Sequence, residues 1–102
     1  MGLTEVKDKQ TFEQNLAKYP VNVAMITGEH CPACRYIEPE FRYKSQQNPR
    51  VNFMIVNSVY FQPFRLESIP TFAKYENGKL VDYFKAGGDW NYNRQRLEQM
   101  TR

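Results

Sequence analysis

Apolar positions in this chain fall into short blocks separated by proline and glycine, at Pro20, Gly28, Pro49, Pro63, Pro70, Asn77-Gly78 and Gly87-Gly88. Such punctuation predicts alternating short helices and strands. A strand around Thr4 to Val6 precedes Asp8, a suitable N-cap, and Phe12 and Leu16 lie one turn apart on the buried face of a first helix that Pro20 ends. Val21 to Ile26 is a mostly β-branched and aliphatic run, the pattern of a central strand covered on both faces. A helix then starts near Cys31 with Pro32 at its first position, where a missing N–H costs nothing. Cys34, Ile37 and Phe41 face the core, Glu38 with Arg42 and Glu40 with Lys44 form exposed pairs, and Pro39 is expected to kink the helix. Val51 to Val56 makes a second buried strand, parallel to the first across the helix. Thr71 to Tyr75 and Leu80 to Phe84 flank Glu76-Asn77-Gly78-Lys79, a strong signal for a tight hairpin. A last helix runs from about Asn91 to Met100, with Leu97 and Met100 inward. Asn57 to Ser68 is irregular; Pro63 forbids a long helix, and Tyr60, Phe61, Phe64 and Leu66 suit one helical turn over the sheet. The order predicts an α/β fold with a central mixed β-sheet flanked by helices.

The length of 102 residues fits a single domain over 1–102. Hydrophobic residues at 41% and charged residues at 25% match a soluble globular protein. The net charge of +3 comes from interleaved side chains; Arg94, Arg96 and Arg102 are the nearest approach to a basic cluster, so no nucleic-acid partner is expected. No stretch has the apolar length to span a membrane, and Met1 to Gln10 lacks the pattern of a secretory signal, so the expected location is cytoplasmic. Composition says little about chemistry.

The two cysteines say more. A bridge across the two residues between Cys31 and Cys34 closes too short a loop to staple a fold. A redox site needs one thiolate and a second thiol close by. Cys31 at a helix N-cap meets free N–H groups and the positive end of the helix dipole, while Cys34 lies one turn further in. Cys31 is thus the expected nucleophile and Cys34 the resolving thiol. A zinc site would need four ligands, and only His30 accompanies the cysteines. The helix-start position also argues against an inert buried pair.

The order of elements, Cys31-Pro32-Ala33-Cys34 and Ser68-Ile69-Pro70-Thr71 together resemble the thioredoxin family over essentially the whole chain. Pro39, five residues after the second cysteine, and Glu29, two before the first, match it as well. The resemblance implies a cis peptide before Pro70 and a substrate segment held between the Ile69 backbone and Ala86 to Gly88, with Gly87 in that second wall. It implies that Glu29, His30, Pro32 and Ala33 tune the cysteines, and that no cofactor is needed beyond the reversible Cys31–Cys34 disulfide. The implied partners are disulfide-containing proteins and, as electron donor, a flavoprotein thioredoxin reductase or glutathione; the implied state is a monomer.

Departures from the family are informative too. Met25 and Ile55 stand where a buried acid and a lysine are usual, and replacing both charges together avoids leaving one unpaired. Cys34 is therefore expected to rely on Glu29, His30 or water. His30 and Thr27 occupy the usual tryptophan positions. Pro32 and Gly87-Gly88-Asp89 look more like glutaredoxin, and a potential on the order of −200 to −260 mV is expected on the scale that places thioredoxin lowest. The link from Asn57 to Ser68 is short for the family, which implies a shortened third helix and leaves Tyr60, Phe61 and Trp90 exposed near the cysteines. Three functions compete: a protein-disulfide reductase, a glutathione-dependent reductase and a non-catalytic binding module.

Overall fold

The computed structural model describes residues 2–102. In chain order the elements are β1 (Leu3–Val6), α1 (Lys9–Lys18), β2 (Val21–Thr27), α2 (Pro32–Gln47), β3 (Asn52–Asn57), β4 (Thr71–Glu76), β5 (Lys79–Lys85) and α3 (Trp90–Met100). The strands form one mixed sheet in the order β1-β3-β2-β4-β5. β1, β3 and β2 run parallel, whereas β4 and β5 are antiparallel to their neighbours. β2 is central because its apolar side chains are buried on both faces, from Val23 to Ile26.

Local chemistry fixes the element ends. Asp8 caps α1 by accepting the Thr11 N–H at 2.7 Å, and Asp89 caps α3 by accepting the Tyr92 N–H at 3.1 Å. Asn77 and Gly78 both have positive φ, 52° and 82°, which the two central residues of a tight type I′ turn require. Glu76 and Lys79 pair across it.

Two cores sandwich the sheet. On one face Ile37 and Phe41 of α2 and Leu97 and Met100 of α3 meet Met25, Phe53 and Phe72. On the other, Phe12 of α1 meets Ala24, Met54, Ala73 and Tyr75. The link 57–70 completes this second face without a helix: it holds one turn, Tyr60 N–H to the Asn57 carbonyl at 3.0 Å, and bends thereafter. The shortened third helix expected here is thus reduced to a single turn, because Pro63 breaks the backbone ladder soon after it. Phe64 and Leu66 still pack on the sheet, and so does Phe61, its ring 5.5 Å from Phe12.

Asn22 interrupts the apolar run of β2, and the fold explains why. It is fully buried and pairs in register with Asn52 of β3. Asn52 Nδ2 donates to Asn22 Oδ1 at 2.8 Å and to Asn15 Oδ1 at 2.9 Å, while Asn22 Nδ2 donates to the Tyr19 carbonyl. This network ties α1 to both parallel strands at the N-terminal end of β2.

Candidate active site

The opposite end of β2 carries the cysteines. After Thr27 the chain turns through Gly28, Glu29 and His30 and enters α2. Cys31 is the N-cap in extended conformation, and its sulfur accepts the Cys34 N–H at 3.1 Å. The two are joined as a disulfide with Cα atoms 5.3 Å apart. Once the pair is reduced, a helix N-terminus is a place where a thiolate at Cys31 would be favoured. Cys31 is 8% exposed and Cys34 2%, so an incoming sulfur meets Cys31 first. Pro32 is exposed and Ala33 half-buried.

His30 adopts φ 54°, a left-handed conformation unusual for a residue with a side chain. It turns the backbone sharply into the helix and leaves its imidazole, like the Glu29 carboxylate, exposed. Gly28 is closely approached by Ile69: a Cβ there would lie 2.6 Å from Cδ1 of Ile69, whose side chain would have to shift to admit it. The Ile69 side chain therefore rests on the cysteine loop.

Ile69–Pro70 is a cis peptide immediately before β4. Because Thr71 pairs with Ile26, this bend lies beside the end of β2 from which the cysteine loop departs. The Ala86 N–H donates to the Pro70 carbonyl at 3.0 Å, which brings 86–88 alongside. The Gly87 peptide is then clamped by Asn93, whose Oδ1 accepts the Gly87 N–H at 2.9 Å and whose Nδ2 donates to the Gly87 carbonyl at 2.8 Å. Asn93 is fully buried. Sequence reasoning overlooked it, since a polar residue in the polar last helix gives no signal of its own.

Met25 and Ile55 pair in register beneath α2, both buried, so the sheet under the cysteines is apolar. A cleft of about 270 Å³ opens beside Cys31 and Cys34, walled by Glu5, Lys7, Arg35, Glu38 and Tyr60. Glu29 and His30 do not line it. Of the aromatics expected near the cysteines, Tyr60 is exposed at this cleft. Phe61 is instead drawn into the core against Phe12, and Trp90 is half-buried, stacked on Tyr36 at 4.5 Å. Arg94 and Arg96 each face a carboxylate, Glu40 at 3.1 Å and Asp82 at 2.9 Å. Among the described residues no group of three or more His, Cys, Asp or Glu side chains is placed to hold a metal ion.

A Cys31–Cys34 disulfide at a helix N-terminus, beside a cis-proline bend on a mixed sheet, defines a thiol–disulfide oxidoreductase. The family model "Thioredoxin" matches residues 3–99, and the chain belongs to the thioredoxin family. It is 29% identical over 104 residues to putative thioredoxin-5 of Dictyostelium discoideum, covering 96% of this chain and 94% of that protein. It is 28% identical over 82 residues to thioredoxin H5 of Arabidopsis thaliana, covering 76% and 69% respectively. The solution structure of oxidised thioredoxin from Plasmodium falciparum superposes with a TM-score of 0.83 at 21% identity, covering 99% of this chain and all of that one.

Proposed function

We propose that this protein reduces disulfides of other proteins in the cytoplasm and is itself re-reduced by a flavoprotein thioredoxin reductase. The observation that carries the reading is the Cys31 sulfur at the N-cap of α2, accepting the Cys34 N–H at 3.1 Å. Cys31 thiolate attacks one substrate sulfur and expels the other as a thiolate. Cys34 then attacks Cys31, releasing the second substrate thiol and leaving the protein oxidised by two electrons. The substrate segment lies extended against the Ile69 backbone, with Gly87 opposite and Pro70 setting the bend. Glu29, His30, Pro32 and Ala33 set the surroundings in which the cysteines titrate.

Insulin reduction, followed by precipitation of the free B chain, tests this. With thioredoxin reductase and NADPH the wild-type protein turns over, and Cys31→Ser abolishes turnover without unfolding the chain. Turnover supported only by glutathione and its reductase would replace this reading with the glutathione-dependent one. A partner interaction that survives Cys31→Ser, with no turnover from the wild type, would replace it with a binding module.

A further inference from the structure

Once Cys31 is bound to a substrate sulfur, the reaction waits on Cys34, whose thiol must lose its proton before attacking. Cys34 is 2% exposed, and the strands beneath it present Met25 and Ile55. Its outlet is the cleft of about 270 Å³, roomy and polar enough to hold several waters. Besides Thr27 and Asn57 at the strand ends, five polar side chains line that cleft: Glu5 and Lys7 at the end of β1, Arg35 and Glu38 on α2, and Tyr60 on the link. Lys7 and Arg35 offer donors only. Of the two carboxylates, Glu38 stands one turn beyond Cys34 on the same side of α2. It is held there by Arg42, whose Nε donates at 2.9 Å. Glu5 reaches the same Arg42 only at 3.6 Å, and its side chain is 66% exposed against 33% for Glu38.

We propose that Glu38, acting through water in this cleft, accepts the Cys34 proton in the resolving step. The inference rests on the reading of Cys34 as resolving thiol. The Cys34 S–H bond breaks and its proton passes to the Glu38 carboxylate. The sulfur's electron pair forms the bond to Cys31 Sγ, and the bond between Cys31 and the substrate sulfur breaks. Its pair leaves on the substrate thiolate, so the substrate is reduced and the cysteine pair oxidised.

Mixing the reduced protein with one equivalent of Ellman's reagent in a stopped-flow instrument separates the two steps. Attack by Cys31 releases a first coloured thiolate and attack by Cys34 a second. Glu38→Gln is expected to slow the second release roughly tenfold or more near neutral pH, and to make it climb steeply with pH, while the first release is unchanged. Glu38→Asp, which keeps a carboxylate, recovers part of the rate. Arg42→Gln frees the Glu38 carboxylate from the contact that holds it but leaves the carboxylate in place, so it slows the second release less than Glu38→Gln does. Equal slowing of both releases, an unaltered second release in Glu38→Gln, or a loss found in Glu5→Gln or Arg42→Gln instead would each overturn the proposal. A wild-type protein that gives only the first release would overturn the resolving role of Cys34 itself, and the proposal with it.

Discussion

The two ends of the central strand both depend on a buried asparagine, and they use it differently. At the N-terminal end Asn52 joins side chain to side chain, reaching Asn22 and Asn15. At the cysteine end Asn93 joins side chain to backbone, holding both polar groups of the Gly87 peptide. The first arrangement is closed: Asn52 Nδ2 is shared by two amide oxygens, and Asn22 and Asn15 in turn donate to the Tyr19 and Thr11 carbonyls. The second leaves the neighbouring surface open while fixing its shape, since Gly87 itself is exposed. If the wall at 86–88 holds the substrate as proposed, one asparagine serves stability and the other serves recognition, although both are buried to the same degree. Burial alone does not tell these roles apart.

The largest effect should come from breaking the closed end. Asn52→Ala leaves the Oδ1 of the fully buried Asn22 without its donor and opens a small void between α1 and the strands. A buried acceptor deprived of its partner costs about 1–3 kcal/mol, and the void adds to that, so a total loss of about 2–3 kcal/mol is expected. Urea denaturation reads it directly. Insulin reduction at a temperature where the variant is folded should stay near wild type. A loss under about 0.5 kcal/mol, within the range of ordinary surface changes, would show that the network contributes order without stability.

The sequence made one half of this picture legible. The turns, the caps Asp8 and Cys31, the hairpin at Asn77-Gly78 and the central place of β2 all follow from local signals, because proline, glycine and hydrophobic period act within a few residues. The cysteine pair is legible from its spacing and helix-start position, and the cis bend at Pro70 only through the resemblance to the thioredoxin family. The asparagine networks are not: Asn52 finds Asn22 30 residues away and Asn15 37 away. Until the strands pair, Asn22 is merely an interruption in an apolar run. The cleft is hidden likewise, as its wall is assembled from β1, α2 and the link, and attention to the neighbours of Cys31 points to Glu29 and His30 instead of Glu38. The fate of Phe61 depends on the position of Phe12, which no local pattern contains.

A smaller and more selective effect is expected at the recognition end. Asn93→Ala frees the Gly87 N–H and carbonyl, which water can satisfy because Gly87 is exposed, so the stability loss should be about 1 kcal/mol. The wall at 86–88 then loses one of its two anchors and keeps only the Ala86 bond to Pro70. An extended protein substrate that uses this wall should show KM raised roughly threefold or more with kcat little changed, while a small aromatic disulfide that touches only Cys31 reacts at the wild-type rate. Equal losses for both substrates would mean that Asn93 supports the cysteines themselves, and the contrast between the two asparagines would fall.

The mildest test uses pH on the closed end. Tyr75 pairs with Asn22 across β2 and β4, and its ring packs edge-on against Phe12 at 5.4 Å. Burial pushes its phenol up from the ordinary 10.0 to about 12. Between those values the unfolded chain has released the phenolic proton and the native chain still holds it. The native state therefore binds more protons, and stability must fall as pH rises. The contribution is fully present below about pH 10 and is lost as pH climbs through about 12. Tyr75→Phe keeps the ring and removes the proton, so its stability in urea should be flatter than wild type across that interval. If the two proteins decline in parallel, the phenol is solvated in the native state and the closed end is looser than its hydrogen bonds suggest. If only the wild type declines, this end of the sheet excludes water around Tyr75.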